Sequence, residues 1–363
     1  MRPRTRLLVF GFGAAGTAAL FTAGTLGLPG FGGSVHPYAD RAVAQAVRQG
    51  TPNAVASVTF DQRAFDTLGE ELILLAAAVA AVVLLRAVRR EEEDEGAAPR
   101  RGPAEVSDAL RIVGYLLLPL TLLTGVYVVA HGHQSPGGGF QGGVVLGTAV
   151  HLLYLAGDYP ALRRLRPPPV FEAAEAAAAA AFVVLVLAAA GAAATGRVPA
   201  LNTAVGVEVG CALVLLLGKF FDQALLVREQ RPPASSPRAG GGGGGAVSLV
   251  PYLTAGWIML AGVYGIVTSR DLIHAVVCLS VTQSGTYVLL LAVGYRSGGT
   301  APVFSDRPPP PAGGPVTDPV VQAMALTDIV VGATVTALLL ALAVQVAKRR
   351  GTLDPGALRS LES

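Results

Sequence analysis

Charge is what this sequence has least of. Only 14% of its 363 residues are Asp, Glu, Lys or Arg, and its only lysines are Lys219 and Lys348. A chain this poor in charge and 52% hydrophobic cannot hide its apolar surface in one soluble core, so it reads as a membrane protein that crosses the bilayer repeatedly. The net charge of +3 is too small to argue for nucleic acid, and the arginines lie beside hydrophobic runs, where they mark topology. Cysteine is also scarce. Cys211 and Cys278 fall inside apolar runs with no partner at redox or metal spacing, which argues against a disulfide framework and a zinc site and leaves small packed hydrophobes. No nucleophile–base pair, phosphate loop or metal-ligand cluster is present, so the chain reads as no enzyme and needs no cofactor.

What is present is an all-α polytopic pattern of about nine transmembrane helices in blocks of two, four and three. The first run, residues 7–29, follows Arg2, Arg4 and Arg6 and reads as a retained helix with its N-terminus inside. A polar stretch, 31–66, has a short surface helix at 39–47 and a turn at Thr51-Pro52-Asn53. The second apolar run is 71–88. Before it, Thr67 and Glu70 have the spacing of a capping box, in which hydroxyl and carboxylate satisfy free N–H groups; an ion-handling role for Glu70 is compatible with that. A charged linker, 91–105, ends this first unit (1–90).

The second unit, 106–228, has runs at 110–130, 142–157, 172–195 and 202–226. Between the first two lies a glycine-packed hairpin with His131 and His133. Pro136 and Gly137-Gly138-Gly139 forbid one continuous helix, so the histidines are expected at a wet mouth or re-entrant turn. Gly143, Gly147 and His151 recur every four residues on one face, where small residues allow close packing. An intramembrane histidine is either a functional group or one hydrogen-bonded to nearby backbone. Glu208, Lys219 and Asp222 share one helical stripe: Glu208 points into the bundle, while Lys219 and Asp222 either join it or snorkel at the helix end.

A Pro/Gly-rich linker, 229–246, leads to the third unit, 247–351, and a short tail, 352–363. Its helices are 248–268, 271–294 and one starting at Asp318-Pro319, an N-cap followed by proline at the first helical position. Asp328 lies about 15 Å into that helix. A carboxylate there costs about 3 kcal/mol to insert, so it should face the bundle, either to handle a proton or cation or to lock packing through a hydrogen bond. Gly332, one turn on, lets a neighbour approach. Nine crossings from an inside start put Arg270 and Lys348-Arg349-Arg350 outside, against the positive-inside rule. Either the hairpin 138–157 is re-entrant or a helix is miscounted.

His133-x-x-Pro136-Gly137-Gly138-Gly139-Phe140-x-Gly142-Gly143, eight fixed positions in eleven, resembles the signature of the B subunit of Mrp-type, multi-subunit sodium/proton antiporters. The Phe65-Asp66-Thr67-Leu68-Gly69-Glu70 string before its apolar run resembles the C-terminal tail of the large A subunit. Asp318-Pro319 through Thr327 resembles the C subunit, related to the small K subunit of complex I. Two departures stand out. Ser280 takes the place of that subunit's membrane glutamate, and Thr327-Asp328-Ile329-Val330 replaces Thr-Ala-Ile-Val.

The resemblance implies an accessory subunit of a bacterial plasma-membrane complex that exchanges sodium for protons. It implies partners among large A- and D-type and small E-, F- and G-type subunits, with membrane lipid around them and no nucleic acid. Glu70, Asp66, His151, Glu208, Lys219 and Asp328 are the candidate ion-path residues. The rivals are a membrane-arm subunit of a redox-driven pump and a non-conducting scaffold.

Overall fold

The computed structural model describes residues 3–28, 31–33, 35–86, 107–156, 167–189, 196–224, 249–305 and 315–358. Both linkers, Arg2 and the side chains of Arg4, Arg6 and Asp222 lie outside the described residues. The long helices are α1 (Pro3–Leu26), α4 (Ala64–Leu84), α5 (Asp108–His131), α6 (Gly139–Leu155), α7 (Pro168–Ala189), α8 (Val198–Ala224), α9 (Val250–Thr268), α10 (Leu272–Gly294) and α11 (Pro319–Arg350). Short ones are α2 (Pro37–Gln49), α3 (Ala54–Ser57) and α12 (Pro355–Leu358), with a π-turn at Val58–Gln62. Among the described residues seven of these, α4, α5 and α7 to α11, are long and apolar enough to cross a membrane, and α6 is a shorter apolar helix. The protein is an all-α polytopic membrane protein.

Large apolar side chains such as Phe12, Leu116, Leu123 and Trp257 are exposed around the perimeter, as a lipid-facing surface requires. The interior is centred on α8. Of its spanning window 72% is buried, against 17% for α5 and α9. Helices α4, α6 and α7 surround α8, and α4 also lies against α11, so α4 is the wedge between α8 and α11. The core they share includes Phe60, Leu74, Ala78, Phe182, Val205, Val209 and Ala212.

One end is closed by a polar cap. Helix α2 turns Ala39, Ala42 and Ala46 inward, begins at Pro37 and stops at Gly50 in the left-handed region (φ 69°). Asn53 caps α3 through Val55 N and Ala56 N. The π-turn then feeds straight into α4, which starts at Ala64 rather than near residue 71. The capping box is therefore not formed. Thr67 lies inside the first turns and donates to Thr59 O (2.7 Å), while Glu70 turns to α11. Asp318 does cap α11, accepting from Val320 N and Val321 N, with Pro319 next.

Helix directions locate the topology conflict. In the α5–α6 hairpin Gly125 packs on Leu146 and Gly114 on Ala156, so the two helices are antiparallel. The N-termini of α4, α8 and α11 all lie at the cap. Because α9, α10 and α11 alternate, with Leu272 N bonded to Leu353 O at the far end and Asp318 N to Gly294 O at the cap, α9 also starts at the cap. Helix α8, which starts at the cap, ends at the far end. Arg86, Arg111, Arg270 and Lys348 to Arg350 then share the far face, which the positive-inside rule makes cytoplasmic. In a Cys278→Ala background, Arg270→Cys is expected to react with an impermeant thiol reagent only from the cytoplasmic side and Ser297→Cys only from the outer side; the reverse pattern would invert the assignment.

Candidate functional site

The glycine hairpin is a backbone junction more than a histidine site. Asn53 Nδ2 donates to Gly132 O (2.8 Å) and Ser135 O (2.9 Å), and Asn53 N to His133 O (3.2 Å). From the other side Asn202 accepts from Gly139 N (2.5 Å) and donates to Val129 O. Both asparagines are buried, and neither was legible as a site in the sequence. Gly137 and Gly138 hold φ of 133° and 156°, and a Cβ on Gly139, Gly142 or Gly143 would strike Val205, Val129 or Val209. Phe140 is buried and Pro136 exposed. His131 is exposed, stacked on Tyr127 with ring centroids 4.4 Å apart. His133 borders a cleft of about 470 Å³ with Gln49, Thr51, Gln134 and Ser305.

Behind that cleft Thr51 donates to Asp61 (3.4 Å) in the π-turn. Burial lifts the Asp61 carboxyl from 3.8 to about 6 against that hydrogen bond. The folded cap thus holds a proton more tightly than the unfolded chain. Its stabilisation is complete below the ordinary carboxylate value and is lost as pH rises through about 6. Asp61→Asn is expected to flatten this dependence and to leave the cap more protected above pH 6, read as hydrogen exchange of residues 54–63 against pH.

Below the cap, four carboxyls converge on α4. Glu70 and Glu71 are about 100° apart on its circumference, so they face different neighbours. Glu70 accepts from Thr327 of α11 (2.5 Å). Glu71 meets Glu208 of α8, and Glu175 of α7 lies within electrostatic reach of Glu208. Glu71, Glu175 and Glu208 are 1%, 2% and 0% exposed. No donor from another group reaches either oxygen of Glu71 or Glu208, or Oε1 of Glu175. Glu71 and Glu175 were missed in the sequence. Their signals were a carboxylate doublet at a helix start and an acid inside a polyalanine run.

Asp328 has the opposite environment. Gln283 Nε2 donates to its Oδ1 (3.0 Å) and its carbonyl (2.6 Å), and Thr286 donates to Oδ2. A Cβ on Gly332 would overlap the Gln283 amide, so this glycine admits that side chain. Ser280, at the departure noted above, bonds Thr336 (3.1 Å).

Of the remaining sequence candidates, Asp66 lies one turn before Glu70 and within its electrostatic reach, and the others lie apart from these sites. Asp66 is exposed and paired with Arg63 (2.5 Å). His151 is buried with Nδ1 on Gly147 O (2.7 Å), on the α6 side of α8. Lys219 is half-buried eleven residues beyond Glu208. Among the described residues no three acidic, histidine or cysteine side chains are arranged to hold a metal ion.

Residues 109–224 match the family described as a domain related to the MnhB subunit of the Na⁺/H⁺ antiporter. Residues 250–363 match NADH-ubiquinone/plastoquinone oxidoreductase chain 4L. The chain joins an MnhB-type domain to a chain 4L-type domain. An uncharacterized protein of Methanocaldococcus jannaschii is 30% identical over 115 residues, 29% of this chain and 44% of that protein. The Na⁺/H⁺ antiporter's B subunit from Bacillus subtilis is 36% identical over 62 residues, 17% of this chain and 41% of that one. The chain thus spans less than half the length of either relative. A chain of the archaeal membrane-bound sulfane sulfur reductase, a respiratory membrane complex, is 27% identical, covering 61% of this chain and 98% of that one, with a TM-score of 0.48. With its MnhB-type domain and apolar helices, the chain is a multi-pass plasma-membrane protein.

In the chain 4L-type domain Gly332→Ala should expel Gln283 from Asp328. Gln283→Ala should cost about 1–3 kcal/mol, as loss of a hydrogen bond to a charged or buried group does. The Gly332→Ala/Gln283→Ala double variant is expected to be less destabilised than the sum of the two, because the clash and the bond share one side chain. Thermal unfolding in detergent measures this, and strict additivity would refute the coupling.

Proposed function

We propose that this chain is an accessory membrane subunit of a multi-subunit monovalent-cation/proton antiporter, exchanging cytoplasmic sodium for external protons together with other subunits. Three units are joined in it: 1–90 as the tail of an A-type subunit, 106–228 as a B-type unit and 247–351 as a C-type unit. The observation that carries the reading is the convergence of Glu70, Glu71, Glu175 and Glu208 on α4, between the other two units. A scaffold needs no acids in such a place, since each ionised carboxylate left bare inside a bilayer costs several kcal/mol. An exchanger needs groups that gain and lose a proton or cation there. The partners are the large A- and D-type subunits and the small E-, F- and G-type subunits. The chain carries ions and catalyses no covalent reaction.

The match to chain 4L favours a second reading, a membrane-arm subunit of a redox-driven proton pump. Electron-transfer subunits purifying with the chain would select it.

The test is ΔpH-driven Na⁺/H⁺ exchange in everted vesicles carrying the complete complex. Glu208→Gln and Asp328→Asn are each expected to lower exchange to below about a tenth, the factor that 1.4 kcal/mol of added barrier produces, with assembly intact. Exposed Asp108→Asn should leave it unchanged. Native exchange in both of the first two variants would reduce those carboxyls to packing contacts.

A further inference from the structure

We infer that the carboxyls of Glu71 and Glu208 share one proton and form a proton-holding site, not a cation site, between α4 and α8. The inference rests on the transport reading above and deepens it by naming the ion this site takes.

Glu71 and Glu208 are in contact, essentially without exposure, and no other group donates to either. The hydrogen bond left to them is to each other, and a carboxyl can donate only when protonated. Two bare carboxylates this close in a medium of low dielectric cannot both be charged. Something positive must sit between them, and the choice is a proton or a metal ion.

The surroundings decide for the proton. A hard cation that sheds its water needs about six or more oxygen ligands in place of it. Among the described residues no three acidic, histidine or cysteine side chains are arranged to hold a metal ion. The side chains packed between these helices include Leu74, Ala78, Phe182, Val205 and Ala212, none of which carries an oxygen.

The other titratable groups around the pair come from each neighbouring helix. On α4, Glu70 is turned away and bonded to Thr327; on α11, Asp328 is held by Gln283 and Thr286. On α8, Cys211 is near, and on α6, His151 lies across α8 with Nδ1 on Gly147 O. The charges felt by Glu71 come from Glu208 and Glu70, with no lysine or arginine among them. On α7, Glu175 is buried with Oε1 unpartnered, one step from Glu208, and exposed Glu172 lies one turn from it.

Infrared difference spectroscopy on the complete complex in lipid vesicles tests this. At neutral pH, with choline as the only cation, the native complex should show a protonated-carboxyl C=O band that shifts in heavy water. Glu71→Gln/Glu208→Gln should lose that band, Asp66→Asn should keep it, and exchanging choline for sodium should leave it in place. If the double variant does not assemble, each single Gln variant is read instead, with the band reduced in both. A native complex without the band, or a band abolished by sodium, would overturn the inference. Failure of the antiporter reading would show separately, as vesicles that do not exchange sodium for protons whatever the band does.

Discussion

A carboxylate inside a bilayer must have a proton, a cation or a set of donors, and α4 carries two such groups on successive residues. Adjacent helical positions are about 100° apart, so one neighbour cannot serve both. Burying Glu70 at 5% exposure and Glu71 at 1% therefore requires α4 to be enclosed from two directions. Helix α11 supplies Thr327 on one side, and α8 with α7 encloses the other. The position of α4 between the MnhB-type and chain 4L-type domains follows from this. A helix on the bundle's edge would expose one of the two acids to lipid.

The same constraint explains how the far-apart parts of the chain are tied. The cap reaches the glycine hairpin through Asn53, and α8 reaches it through Asn202. These two amides satisfy backbone groups that Gly137 and Gly138 remove from helical geometry, and such groups are costly to leave unpaired near a membrane. Asn202 is six residues before Glu208 on α8, about 9 Å along the axis. The hairpin thus fixes the height of the carboxyl that faces Glu71.

Much of this was legible in the sequence, for physical reasons. Hydropathy located the long helices, and Asp318-Pro319 marked the start of α11 because an N-cap and a first-turn proline act locally. Other features needed the neighbours. Thr67 and Glu70 have capping-box spacing, but the π-turn starts the helix earlier and frees both side chains for tertiary partners. Glu175 sits among alanines, with nothing local to show that α7 turns it towards Glu208. The topology conflict could not be placed from charge counting alone, because it depends on α9 running the same way as α11. Contacts at residues 272 and 294 show that, and hydropathy does not.

The two acidic sites differ in what surrounds them more than in the acids themselves. Asp328 is given an amide and a hydroxyl, and Gly332 is small so that the amide can come in. Glu71 and Glu208 are given nothing but each other. An ion exchanger gains from that contrast. Donors are fixed in place at one site and missing at the other. The Glu70–Thr327 bond lies between the two environments, joining the residue before Glu71 to the residue before Asp328. That bond ties α4 to α11 one residue from each acidic site.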